Sequence, residues 1–175
     1  MSDARHPQEL SETTRRPAGL PAYPELCLDS QLCLALQVSD SLVTRIYRGL
    51  LKPLDLTHPQ YLVLLALWER GRCTMGDLRE ALHMDTGAIT PLVKRMEASG
   101  LLKRSRDTLD ERRVWVDLSE KGWALRDKVA EIRREVGRRI PLSAPELAEL
   151  RSTLQALNAA MLRAAEPQDG ESEAA

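Results

Sequence analysis

Between about residue 26 and residue 165, apolar side chains recur at spacings of three and four, the period of helices that bury one face. Leu26, Leu32, Leu36, Val43, Ile46 and Leu50 outline a first helix of about 25 residues that Pro53 ends. Thr57-His58-Pro59-Gln60 opens a second: Thr57 caps, Pro59 suits the first turn, Gln60 can reach back, and Gly71 stops the helix after Arg70. Thr74-Met75-Gly76-Asp77 repeats that grammar and starts a short third helix through Leu78 and Leu82. A fourth runs from about Thr86 to Ser99, with Gly100 placed as its left-handed terminal residue. Pro91 lies inside it, with Gly87 four residues back, and predicts a distorted first turn or a short kink. After Gly100 the period becomes two. Leu101 to Arg106 and Val114 to Leu118 read as two strands of a hairpin whose tip is the charged stretch Asp107 to Arg113. Ser119-Glu120-Lys121-Gly122 then begins a helix to about Gly137, and Ser143-Ala144-Pro145-Glu146 opens the last, through Leu147, Leu150, Leu154, Leu157 and Met161.

Short helices, a hairpin and long helices on both sides give a mainly α chain with a small β-hairpin wing, the order of a winged helix-turn-helix in a helical homodimer. The third and fourth helices are linked only by His83 to Asp85. The fourth offers Thr86, Gly87, Ala88, Thr90, Pro91, Lys94 and Arg95 as a recognition surface over a buried face of Ile89, Leu92, Val93 and Met96. Short hydroxyls can approach bases or phosphates, and the cations further along can reach guanines or backbone. The hairpin adds Arg104, Arg106, Asp110, Arg112 and Arg113, with Lys103 beside them. A charged helix and a charged hairpin are, taken singly, more often solvated surface; their order is what points to double-stranded operator DNA.

Composition qualifies this picture. The 175 residues carry 25 Lys and Arg against 26 Asp and Glu, a formal charge of -1 that looks unpromising for a DNA binder. Residues 1–25, with four prolines, read as a flexible arm, and residues 166–175 as an acidic disordered tail. That tail masks a basic segment: from Lys94 to Arg113 there are seven basic and four acidic side chains. Residues 26–165 then form one domain, with dimerisation helices at about 26–52 and 120–165 and a DNA-binding lobe at about 57–118. There is no apolar run of about 18 residues and no secretory leader, so no membrane partner and a cytoplasmic location are expected. In that reducing compartment three cysteines without metal-type spacing suggest thiols. His6, His58 and His83 show no metal pattern, and no phosphate loop or nucleophile elbow occurs; no metal, cofactor or catalytic residue is expected.

The hairpin and following helix, DERRVWVDLSEKG, resemble the Asp-x-Arg...Leu-Thr-x-x-Gly signature of MarR-type repressors, with Ser119 where Thr is usual. LTHPQYLVLLALWE, MDTGAITPLVKRMEASGLLKR and SQLCLALQ look more narrowly like the organic hydroperoxide-sensing OhrR branch. The resemblance runs from about Leu26 to Lys128. It implies that Arg112 enters the minor groove, steadied by Asp110, and that Cys33 is the peroxide-reactive thiol. It also implies that partner-subunit groups activate that thiol. Tyr47 matches one family tyrosine, His58 replaces another, and Gln37 replaces a third. Tyr is a neutral donor, whereas His58 can donate, accept or carry charge.

From composition alone, Cys33 between Leu32 and Leu34 reads as an inert core residue. The resemblance makes it a sensor whose thiolate reacts with organic hydroperoxide and then condenses with a low-molecular-weight thiol. If helical, Cys27 lies about 9 Å of rise away and faces elsewhere, so an intrachain bridge requires unwinding. Cys73 is expected on the turn before the third helix, packed against it. Trp68, Trp115 and Trp123 read as core or wing-base packing. Other readings stay open: a MarR-type repressor released by a small aromatic ligand, a thiol peroxidase, and a helical adaptor.

Overall fold

The computed structural model describes residues 23–110 and 112–165. The expected N-terminal arm up to residue 22, with His6, and the acidic tail at 166–175 lie outside the described residues. Two compact units divide at Val43 and Thr44.

In the first unit the chain does not enter its long helix at Leu26. Two 3-10 turns, Pro24–Leu26 and Leu28–Ser30, precede α1, Leu32–Leu51. Cys27 joins the turns in an extended conformation. The Gln31 amide donates to the carbonyls of Glu25 at 2.6 Å and Cys27 at 3.0 Å. Such local side-chain bonds compete with the helical ladder, so Cys27 stands before α1 and the helical separation expected between Cys27 and Cys33 does not apply. Leu32, Leu36 and Leu42 of α1 are exposed.

In the second unit α1 ends at Leu51, and a 3-10 turn over Lys52–Leu54, containing Pro53, leads to left-handed Asp55. Then follow α2 (His58–Arg70), β1 (Cys73–Thr74), α3 (Met75–Leu82), α4 (Thr86–Ala98), β2 (Leu102–Arg106), β3 (Val114–Leu118), α5 (Glu120–Ala124), α6 (Arg126–Arg139) and α7 (Ala144–Ala165). Both expected capping boxes form: Thr57 with Gln60, and Thr74 with Asp77. His83 takes the left-handed conformation that turns α3 into α4, and the Asp85 carboxylate accepts from Ala88 N at 2.7 Å as the cap of α4. The helix α4 continues without a break through Pro91, and Gly100 is left-handed.

In this second unit two elements depart from expectation. Cys73 is not on a free turn: with Thr74 it forms a third strand, giving the order β1-β3-β2 with Cys73 opposite Val116. The helix after the wing is split at Leu125, which keeps right-handed helical angles.

The core beneath α2, α3 and α4 is built from Val63, Leu64, Leu67, Leu78, Ile89, Val93 and Met96, closed on the sheet side by Val116. Each such side chain contributes about 1.5–3 kcal/mol on burial, which fixes the helix-turn-helix without disulfides. Ser119 joins the hairpin to α5: its hydroxyl donates to Gly100 O at 2.6 Å and accepts from Gly122 N at 3.1 Å. Gly122 lies against the backbone of Leu101, and a Cβ there would collide with the Leu101 carbonyl oxygen. Gly122→Ala is therefore expected to destabilise the fold by about 1–3 kcal/mol, measurable as a lower urea midpoint with an unchanged slope; an unchanged midpoint would show that this approach tolerates a methyl group.

Candidate nucleic-acid interface and candidate thiol site

Helical periodicity puts Ile89, Leu92, Val93 and Met96 of α4 into the core and leaves Thr86, Gly87, Ala88, Pro91, Lys94 and Arg95 exposed, with Thr90 half-buried. The recognition residues read from the sequence thus share one open face. Gly87 is confined from one side, since a Cβ there would lie 3.1 Å from the capping Asp85 carboxylate.

The wing's cations do not form one uniform group. Arg106, Arg112 and Arg113 are exposed. Arg104 is half-buried and committed: its Nε and Nη2 reach Glu97 Oε2 at 2.7 and 2.6 Å, and its backbone N–H donates to Oε1 at 3.2 Å. Those bonds, led by the one from the Arg104 side chain, hold the Glu97 carboxyl below its ordinary range. Arg104 thus ties β2 to α4, although the sequence grouped it with the DNA contacts. Asp110 accepts the backbone N–H of Arg112 at 3.0 Å, so it shapes the turn that carries Arg112.

At the base of the wing Trp115, read from the sequence as core or wing-base packing, has two partners that sequence reasoning missed, Asp107 and Arg72. Trp115 Nε1 donates to Asp107 Oδ2 at 2.6 Å. Asp107 Oδ1 accepts from the N–H groups of Leu109 and Asp110 at 2.8 and 3.1 Å. Arg72 lies over the Trp115 ring at 4.7 Å, pairs with Asp117 at 3.1 Å and donates to Ser105 at 3.0 Å. A tryptophan on a charged strand is the only signal the sequence offers for this cluster.

A second group lies at the start of α2. Tyr47 stacks on His58 at 4.7 Å and packs against Tyr61 at 4.9 Å, with the two phenol oxygens 3.4 Å apart. Thr44 Oγ1 lies 3.4 Å from His58 Nδ1. Burial, then the Tyr47 hydrogen bond, pushes the Tyr61 phenol far above its ordinary range and keeps it protonated. Tyr61 is the member the sequence did not single out. Beside this group is a cavity of about 370 Å³ lined by Thr44, Arg48, Lys52, Asp55, Thr57 and His58.

Of the thiols, Cys33 is exposed in the first turn of α1 and Cys27 is exposed before it. Cys73 is 3% exposed, donates to Gly71 O at 3.4 Å and has its thiol pushed up, chiefly by burial. It is a packed strand residue. Among the described residues no cluster of three or more His, Cys, Asp or Glu can hold a metal, and no helix is long and apolar enough to cross a membrane.

A capped helix-turn-helix with an open basic helix face and a braced hairpin is the architecture of a winged helix-turn-helix DNA-binding protein. The MarR family profile matches residues 56–114. The organic hydroperoxide resistance transcriptional regulator of Bacillus subtilis is 38% identical over 135 residues, 77% of this chain and 92% of that protein. Reduced AbfR bound to DNA, from Staphylococcus epidermidis, superposes with a TM-score of 0.70 at 29% identity over 79% of this chain and 95% of that one. Bordetella bronchiseptica BpsR, whose DNA binding is regulated by 6-hydroxynicotinic acid, gives 0.67 at 25% identity over 73% and 98%. The chain belongs to the MarR family and is a DNA-binding transcriptional regulator. The curated relatives named with it are transcriptional regulators.

The Asp107 cluster has a measurable pH signature. The Trp115 indole N–H first, then the N–H groups of Leu109 and Asp110, lower the Asp107 carboxyl from 3.8 to about 2. A folded value below the unfolded one means that the contribution is complete above the unfolded value and lost as pH falls through the folded one. The Trp115 indole proton resonance should hold its position down to about pH 4 and move as pH approaches about 2. Asp107→Asn should abolish that movement, and a midpoint near the unperturbed carboxylate value would contradict the latch.

Proposed function

We propose that this regulator is a homodimeric repressor that senses organic hydroperoxide through Cys33 and then releases its operator. The single observation that carries this reading is an exposed Cys33 in the first turn of α1, in a chain 38% identical to an organic hydroperoxide resistance regulator. The thiolate attacks a peroxide oxygen: the S–O bond forms, the O–O bond breaks, and a proton completes the alcohol that leaves. The resulting sulfenic acid condenses with a low-molecular-weight thiol, giving a mixed disulfide and water. Cys73, buried in the sheet, is unsuited to that step. Cys27 is exposed and outside the helix, so its competition with the small thiol is open to direct assay.

Dimerisation is supported by exposed leucines on α1 and by exposed Leu150, Met161 and Leu162 on α7, apolar surface of the kind that marks an interface. In the dimer, the partner's Tyr47 and the partner's His58 are the thiol-activating groups, as the family resemblance implies. On DNA, α4 enters the major groove with Thr86, Gly87, Ala88, Thr90, Pro91, Lys94 and Arg95. The wing delivers Arg112 to the minor groove, with Arg106 and Arg113 beside it. An adduct at Cys33 presses on the adjoining helices and alters the spacing of the two recognition helices, which half-sites about one DNA turn apart do not tolerate. AbfR, 32% identical to this chain in both cases, has been solved overoxidised and bound to DNA and in a disulfide-formed state.

A second reading makes the trigger a small aromatic acid. It is supported by the regulation of BpsR by 6-hydroxynicotinic acid and by the cavity beside His58, with Arg48 and Lys52 on its wall. Gel mobility of the protein's own upstream DNA separates the two. Cumene hydroperoxide should weaken wild-type binding by at least about tenfold, or about 1.4 kcal/mol, and leave Cys33→Ser bound. Equal release of both proteins would sink oxidation at Cys33 and favour the ligand.

A further inference from the structure

The wing tip is bound through a continuous path to a residue outside both the recognition helix and the hairpin. Arg72 precedes β1 and stands 33 residues from Ser105 in sequence. Its Nε is committed to Asp117, its Nη2 to Ser105, and its guanidinium plane to the face of Trp115. Arg113 approaches the same ring at 5.6 Å. Trp115 grips Asp107 through its indole N–H. Asp107 gathers the N–H groups of Leu109 and Asp110, and Asp110 in turn accepts the N–H of Arg112. The loop closes at its base, where Asp107 N donates to Arg113 O at 2.9 Å.

We propose that Arg72 and Trp115 are positioning residues for DNA recognition: stacked and hydrogen-bonded on the outer face of the sheet, they pre-order the tip so that Arg112 arrives at the minor groove in its reading pose. The proposal rests on the reading of Arg112 as the wing's groove contact. A charged loop that is ordered only on binding gives up affinity to conformational entropy, and a loop ordered beforehand does not. Arg72 suits this role better than that of a phosphate contact. Two of its nitrogens and its planar face are already engaged, and a planar guanidinium both stacks on an indole and forks between a carboxylate and a hydroxyl. Lysine retains the charge and loses that geometry, which makes it the informative substitution.

The test uses the full chain, reduced, with its upstream DNA over a range of salt concentrations. Arg112→Ala should weaken binding by about tenfold or more. Arg72→Ala and Arg72→Lys should each weaken it by about three- to tenfold, with the slope against salt kept; loss of a phosphate contact would lower that slope by about 0.9. Trp115→Phe keeps an aromatic face and loses the N–H, and should speed amide exchange at Leu109 and Asp110 while leaving the thermal midpoint within a few degrees. The double substitution of Arg72→Ala with Trp115→Phe should fall short of the sum of the singles, because the two act along one path.

Wild-type affinity in Arg72→Lys together with weak binding in Arg72→Ala would make Arg72 a charge contact and overturn the proposal. Unchanged exchange at Leu109 and Asp110 in Trp115→Phe would overturn it as well. If Arg112→Ala weakens binding while the Arg72 and Trp115 variants do not, the positioning role alone fails. If Arg112→Ala binds like wild type, the wing reading fails and the positioning role with it.

Discussion

The DNA-binding lobe depends on one central strand. β3 lies between β1 and β2, and Val116 at its centre has no exposed surface. Through Cys73 and Thr74 the strand is hydrogen-bonded to the residues that begin α3, and through Arg104 to β2, which Glu97 fastens to α4. The hairpin is therefore not an appendage. It shares a core with the recognition helix, and a displacement of one must move the other, because a close-packed interior transmits strain instead of absorbing it.

That constraint divides the arginines by task. Arg104 and Arg72 are paired within the chain, with Glu97 and Asp117, Arg72 at the surface, while Arg106, Arg112 and Arg113 stand exposed with Lys94 and Arg95 of α4. A chain with a formal charge of -1 presents a basic surface in this way, by placement and not by excess. Arg104 illustrates how a count of basic residues differs from a basic surface: its Nε and Nη2 both lie on Glu97 Oε2, and charge-assisted bonds of this kind are among the stronger ones.

Features carried by neighbouring residues are legible in the sequence. The capping boxes at Thr57 and Thr74, the left-handed Gly100 and the buried stripe of α4 all follow from residues within one or two turns of each other. What was not legible depends on distant partners or on competition between local bonds. β1 is only two residues long and exists because Val116 lies opposite Cys73. Arg72 has no pattern of its own until Ser105, Trp115 and Asp117 are brought to it. The start of α1 was misplaced because a leucine period runs back to Leu26, whereas the Gln31 amide ties down the carbonyls that a helix would have used. Within the Tyr47 and His58 group, Tyr61 emerged only from packing.

In the proposed function, the oxidation state of one thiol, Cys33, sets the affinity of a preformed DNA-reading lobe. Its most direct test is a single titration with organic hydroperoxide in which the same sample is divided, one half for operator binding and the other for intact and peptide mass spectrometry. The fraction of DNA released should rise in step with the fraction of Cys33 modified, with Cys73 unmodified throughout. Release while Cys33 remains a free thiol, or full binding after Cys33 is completely converted, would contradict it.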